Sequence, residues 1–75
     1  MNPRTMLGSF IRDRRQELGL SVHELSERSG LTESAIYMIE RGDRTRLQPD
    51  TCMRLSAALE VGVDALLSES VRASA

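Results

Sequence analysis

The 75-residue sequence has few of the side chains from which metal sites and catalytic centres are built. It contains one cysteine, Cys52, and one histidine, His23. A single cysteine excludes a disulfide within the chain and a cysteine-based zinc site, so we expect a reduced thiol. A single histidine excludes a cluster of several histidines, and no nucleophile-base pair or phosphate-binding glycine loop is present. The sequence therefore predicts neither an enzyme nor a cofactor or metal site.

Long apolar runs are also missing. No stretch approaches the roughly 20 apolar residues that a membrane span requires, and no signal peptide is visible. We therefore expect a cytoplasmic protein with no membrane partner. The sequence has no period-2 alternation of the kind found in strands, no internal repeat and no low-complexity tract. A chain of this length forms one domain with a modest core.

Lysine is absent, so all ten basic residues are arginines, and they are unevenly distributed. Residues 1–15 contain four arginines and one aspartate, and residues 41–46 contain three arginines and one aspartate. Residues 16–40 between them contain one arginine and five glutamates. The net charge of −1 argues against strong nucleic-acid binding, but the two basic stretches are suitably placed to flank a duplex. An ordinary mixed, solvated surface is the alternative interpretation.

Apolar residues at helical spacing, together with residues that favour helix ends, predict five short helices around one core. The predicted helices span residues 6–18, 22–29 and 33–41, then run from Pro49 to a break at residues 61–63, and from 64 to about 67. The predicted fold class is therefore all-α. The predicted organisation is an N-terminal arm at residues 1–5, a domain at residues 6–67 and a polar tail at residues 68–75.

Residues 22–41 contain two helical patterns separated by a short turn. Ser21 and Glu24 have the spacing of a capping box at the start of helix 2. Gly30 lies where a sharp turn requires a residue that can adopt positive φ, and Thr32 has the hydroxyl to cap helix 3. This layout is typical of a helix-turn-helix, whose second helix enters the major groove of DNA.

A wider set of residues repeats a family pattern over residues 7–67. They are Leu7-Gly8, Ile11-Arg12, Arg15, Gly19-Leu20-Ser21, Glu24-Leu25, Gly30-Leu31-Thr32, Ser34, Ile36, Ile39-Glu40-Arg41-Gly42, Arg54-Leu55, Ala58-Leu59, Val63-Asp64 and Leu66-Leu67. Their joint spacing resembles the XRE, or Cro/C1-type, helix-turn-helix family, the DNA-binding domain of phage lambda repressor and its bacterial relatives. The resemblance implies a DNA-binding transcription regulator, expected to be a repressor and a homodimer on a two-fold operator. It also implies an ion pair between Arg15 and Glu40, with two independent surface charges as the alternative.

The sequence departs from the family pattern at several positions. Val22 stands where the family commonly has a glutamine that contacts a phosphate, so that contact is lost or reduced to a backbone N–H. His23 beside it either contacts a phosphate when protonated or is simply solvated. Glu33 stands where relatives often carry Gln, Arg or Lys. Cys52 stands where leucine is usual, which favours a core role over a redox role.

We expect helix 3 to read base edges with four side chains on its outer side, namely Glu33, Ser34, Tyr37 and Met38. Glu33 can accept a hydrogen bond from cytosine N4, Met38 can contact a thymine methyl group, and Tyr37 can contact a base or a phosphate. For each of the four, and most of all for Tyr37, the alternative is that the side chain makes no contact with DNA. Phosphate contacts are expected from helix N-termini and from basic side chains. The expected phosphate-binding residues are Ser21, His23, Thr32, Arg41, Arg44 and Arg46.

The expected dimer interface is formed by apolar residues of the C-terminal region, namely Val63, Leu66, Leu67 and Val71. If the chain is complete, we expect regulation by occupancy of DNA alone or through a protein partner that binds it. The alternative function is a protein-interaction module on the same fold, such as a coactivator or an antitoxin-type partner. A continuous positive surface around helix 3 would favour DNA, and a neutral or acidic one would favour protein.

Overall fold

Four helices joined by short loops make up most of the computed structural model, which describes residues 6–44 and 46–66. They are α1 (Met6–Glu17), α2 (Val22–Ser29), α3 (Glu33–Glu40) and α4 (Pro49–Leu59). Residues 63–66 are also helical, which confirms the predicted all-α fold with five helices. The predicted arm and polar tail, and with them Leu67 and Val71, lie outside the described residues. None of the described helices is both long enough and apolar enough to span a membrane.

The core is formed by apolar side chains from every helix. The buried apolar residues are Leu7, Ile11, Leu20, Val22, Leu25, Ile36, Ile39, Cys52, Leu55, Ala58, Leu59 and Leu66. Burial of these side chains supplies the main favourable free energy of folding, about 25 cal/mol for each Å² of apolar surface removed from water. Cys52 is among them, so its thiol fills space in the core.

Leu66 corrects one prediction about the dimer interface. Its side chain is fully buried in the core of its own chain. It therefore has no surface to offer a second copy. The sequence predicted a place in the dimer interface because Leu66 follows a break in the helical pattern. After such a break, the sequence does not show whether an apolar residue completes the core or lies on the surface.

The packing of α3 against α1 depends on a close approach at Gly8. A Cβ atom added there would lie 2.6 Å from the Ile39 carbonyl oxygen, which is backbone and cannot move aside. Only glycine fits at this distance. The orientation of α3 is therefore fixed by contact of its C-terminal end with α1.

Arg14 joins the first and fourth helices. Its Nε donates a hydrogen bond to the Leu59 carbonyl at 2.9 Å, and its Nη2 donates to the Glu60 carbonyl at 3.3 Å. These oxygens lie at the C-terminal end of α4, where carbonyl groups lack helical partners and favour positive charge. Sequence spacing gave no signal for this contact because the residues are 45 and 46 positions apart.

Candidate nucleic-acid interface

The turn between α2 and α3 is held by short-range hydrogen bonds. Gly30 has a φ of 76°, and its N–H donates to the Ser26 carbonyl, which ends α2. Ser26 Oγ donates to the Leu31 carbonyl at 2.6 Å. Ser29 Oγ accepts a hydrogen bond from the Leu31 N–H at 3.2 Å. The two helices are therefore joined by a defined turn, as the glycine predicts.

Both helices of this motif begin with the predicted caps. Ser21 Oγ accepts from the Glu24 N–H at 3.0 Å, and a Glu24 carboxylate oxygen accepts from the Ser21 N–H at 2.8 Å. The hydrogen bond from the Ser21 backbone N–H to the carboxylate is the largest cause that lowers the pKa of Glu24 below its usual value. Thr32 Oγ1 accepts from the Ala35 N–H at 3.1 Å. The hydroxyls of Ser21 and Thr32, predicted to bind phosphate, are thus already used as helix caps.

The outer face of α3 carries the four residues predicted to read bases. Glu33, Ser34 and Tyr37 are exposed, and about half of the Tyr37 surface is open to solvent. Met38 is half-buried, and its carbonyl accepts hydrogen bonds from the Asp43 and Arg44 N–H groups. The structure therefore brings the first three together on one open surface and places Met38 at its edge.

Arg15 and Glu40 lie against each other between α1 and α3. Arg15 Nε and Nη2 donate to the two carboxylate oxygens of Glu40 at 2.8 and 3.0 Å, a bidentate arrangement. Arg15 Nη1 also donates to the Leu20 carbonyl at 2.9 Å. The hydrogen bonds to Glu40 raise the pKa of Arg15. Because the side chains are only 12% and 8% exposed, this pair holds the C-terminal end of α3 in a fixed position.

The basic residues after α3 differ in their surroundings. Arg41 pairs with Asp43 at 2.9 Å, so part of its charge is offset locally. Arg44 and Arg46 are exposed and line one cleft together with Gln48 and Thr51 at the start of α4. Across the described part of the chain, neither of them takes part in an ion pair.

A second groove lies between α1 and α3 and includes residues that the sequence did not single out. It is lined by Ser9, Arg12, Tyr37, Glu40 and Arg41. In the sequence, Arg12 is one of several arginines near the N-terminus and part of the family pattern, but neither observation assigned it a role. Its position beside Tyr37 follows from the packing of α1 on α3, which local sequence does not specify.

His23 forms an interhelical contact that the sequence did not reveal. Its Nδ1 lies 2.8 Å from a Glu33 carboxylate oxygen, and its Nε2 lies 3.6 Å from Glu27. The hydrogen bond to Glu33, followed by the charge of Glu27, raises the pKa of His23 above 6.5. His23, predicted to bind phosphate, therefore faces two carboxylates.

The surface around α3 is consequently mixed in charge. Its N-terminal end and the exposed side of α2 carry Glu24, Glu27 and Glu33, whereas arginines follow its C-terminal end. This distribution is neither the continuous positive surface that would favour DNA nor a uniformly acidic one.

Comparison with known proteins identifies relatives over most of the chain. A family model described as helix-turn-helix matches residues 11–66. The HTH-type transcriptional regulator SinR of Bacillus subtilis is 38% identical over 64 residues, which cover 85% of this chain and 58% of SinR. The chain thus spans a little over half the length of this curated relative.

Solved structures agree with this relationship. The master regulator for biofilm formation SinR in complex with DNA is similar with a TM-score of 0.78 and 37% identity, covering 83% of this chain and 98% of that one. SinR in a complex with SinI protein is similar with a TM-score of 0.77 and 37% identity, covering 83% and 60% of the two chains. The caps, the glycine turn, the Arg15–Glu40 pair and these matches together show that this chain belongs to the XRE-type helix-turn-helix family.

Proposed function

We propose that this chain is a sequence-specific DNA-binding transcription regulator that acts by binding and catalyses no reaction. The observation that carries the proposal is the open outer face of α3 within a helix-turn-helix whose backbone resembles that of a relative solved with DNA. A second helix held this way by its turn and by α1 can enter a major groove. We expect the protein in the cytoplasm, on DNA when bound.

Base recognition falls to the N-terminal half of α3. Glu33 and Ser34 are the main candidates, because they are exposed at the end of the helix that enters the groove first. Glu33 can accept from cytosine N4, and Ser34 can donate or accept. Tyr37 and Met38 follow one turn later, where Met38 contributes an apolar contact from the edge of the surface.

The proposed phosphate-binding residues are mainly arginines that follow the C-terminal end of α3. Arg44 and Arg46 are the strongest candidates, because both are exposed and share a cleft. Arg41 contributes less while it is paired with Asp43. Ser21, Thr32 and the helix N-termini beside them add weaker contacts. His23 contributes little to phosphate binding, because its ring nitrogens face the carboxylates of Glu27 and Glu33.

A homodimer on a two-fold operator remains the proposed assembly, because one short α3 contacts few base pairs. Two copies place their recognition helices about 34 Å apart, one turn of DNA. Val63, which is partly exposed, is the described residue that supports a C-terminal interface. Leu67 and Val71 are the other residues that we propose for this interface. Occupancy of a promoter by such a dimer would repress transcription.

Selection of bound sequences from random double-stranded DNA tests the proposal directly. We expect enrichment of a two-fold symmetric site with half-sites about one helical turn apart. Enrichment of an asymmetric single site would support sequence-specific DNA binding but contradict the proposed homodimer. Recovery of no preferred sequence at low salt would overturn the proposed function.

A protein-interaction module is the second candidate, and two observations favour it. The exposed side of α2 and the start of α3 are acidic, and a relative has been solved with a protein partner. A chain that acts only by binding a basic protein at this surface would select no sequence from random DNA. The same selection experiment therefore separates the two candidates.

A further inference from the structure

His23 connects the two helices of the motif through its imidazole ring. Nδ1 lies 2.8 Å from Oε2 of Glu33, the first residue of α3, across the turn and ten positions along the chain. Nε2 faces Glu27, one turn further along α2, at 3.6 Å. The ring is thus placed between a carboxylate of its own helix and one of the recognition helix.

Glu33 needs such a partner if it is to read a base. Its side chain is flexible and about half exposed, and negative phosphates would repel a free carboxylate. A hydrogen bond to one carboxylate oxygen fixes its direction and leaves the other oxygen to accept from a base. The His23 ring supplies that bond from α2, on which the neighbouring residue Val22 is buried in the core.

We propose that His23 is a specificity-determining positioning residue, which holds Glu33 so that its free oxygen reads a base with an exposed amino donor, such as cytosine N4. The inference rests on the proposed function. It assigns His23 a different role from a phosphate contact, because the ring nitrogens are directed to carboxylates.

The same contact makes recognition depend on pH. The charged groups that face His23 are Glu24 and Glu27 from α2 and Glu33 from α3, all acidic. The hydrogen bond to Glu33 and then the charge of Glu27 raise the pKa of His23 above 6.5. The protonated ring offsets one negative charge beside the DNA and keeps Nδ1 as a donor. Acidification from pH 8 towards pH 6 therefore strengthens binding.

The first test uses the free protein and needs no DNA. Because His23 is the only histidine, its ring signals in an NMR titration of the full chain are unambiguous. Glu33→Gln should lower the pKa of His23 towards 6.5. Glu17→Gln, which removes the same charge from α1, should leave it unchanged. An unchanged pKa in Glu33→Gln would overturn the contact on which the inference rests.

The second test measures affinity for the site selected by the wild-type chain and for single-base changes, between pH 6 and pH 8. His23→Ala should reduce discrimination about two- to fivefold at the base pair facing the start of α3, and nowhere else. His23→Asn retains an amide N–H near the position of Nδ1 but cannot gain a proton. It should therefore restore discrimination and lose the pH dependence.

The outcomes distinguish the inference from the function on which it rests. If the wild-type chain selects no sequence, the proposed function fails and the inference fails with it. If the wild-type chain selects a site and His23→Ala keeps the full base preference and pH profile, only the inference is overturned. A uniform loss of affinity at every base pair would indicate a phosphate contact and would also overturn it.

Discussion

The Arg15 and Glu40 side chains form the least exposed ion pair among residues 6–44 and 46–66. Glu40→Gln should lower the free energy of unfolding by about 1–3 kcal/mol, because the Arg15 guanidinium would stay enclosed without its charged partner. Urea denaturation followed by circular dichroism measures this change. The loss should appear as a lower midpoint with an unchanged slope.

A matched control for that substitution lies on α1, the helix that carries Arg15. Asp13 lies 3.9 Å from Arg12, and both side chains are largely exposed. Asp13→Asn should therefore change stability by less than about 0.5 kcal/mol. Equal losses in Asp13→Asn and Glu40→Gln would show that enclosure of the Arg15–Glu40 pair has no energetic consequence.

At the scale of the helices, the turn between α2 and α3 depends on backbone conformation. Gly30→Ala should cost about 1–2 kcal/mol, because an L-residue is strained at the observed φ of 76°. The new Cβ would also lie 2.8 Å from Arg54 Nη1, the end of a flexible side chain that can move away. The cost should therefore be mostly conformational, and thermal or urea unfolding measures it.

Two other glycines serve as controls for this prediction. Gly19 has a φ of 71° with nothing near its added Cβ, so Gly19→Ala isolates the conformational cost and should match Gly30→Ala. Gly62 is not left-handed and its surroundings are open, so Gly62→Ala should be neutral or slightly stabilising. A much larger loss at Gly30 than at Gly19 would mean that the contact with Arg54 dominates.

The helices also show which features the sequence could predict. The caps at Ser21 and Thr32 and the turn at Gly30 were correct, because each depends on residues within four positions of it. The contact between His23 and Glu33 and the bonds from Arg14 to α4 were missed. They depend on how helices pack, which composition and spacing do not specify.

The outer face of α3 illustrates the same limit at the candidate site. Its exposed residues followed from helical periodicity, since Glu33, Ser34 and Tyr37 fall on one side of the helix. The hydrogen-bond partners of those residues could not be predicted from helical periodicity. Whether Glu33 is free or held by His23 is decided by the angle between α2 and α3.

The predicted role of Leu66 in a dimer interface was wrong for a related reason. Its side chain fills the core of its own chain, and the sequence does not reveal the shape of that core.

At the scale of the whole molecule, attraction to DNA must come from a chain with a net charge of −1. The exposed arginines without ion pairs in the described range therefore matter most, and Arg44 and Arg46 lie side by side in the cleft after α3. The double variant Arg44→Ala/Arg46→Ala should weaken binding at every sequence alike. It should also lower the steepness of log K against log salt by about 2, since each phosphate contact contributes about 0.9.

The loss of two positive charges would by itself weaken binding to DNA, so the control variant must lose two arginines elsewhere in the chain. Arg28 lies near Glu60 and Arg54 near Asp50, each in an ion pair of its own. Arg28→Ala/Arg54→Ala changes the net charge equally, and its effect should be a small loss of affinity with the salt slope preserved. Fluorescence anisotropy on one labelled duplex at several salt concentrations compares the two double variants. Equal slopes would mean that the arginines act only through the overall field of the molecule, because counterion release requires direct contact with phosphate.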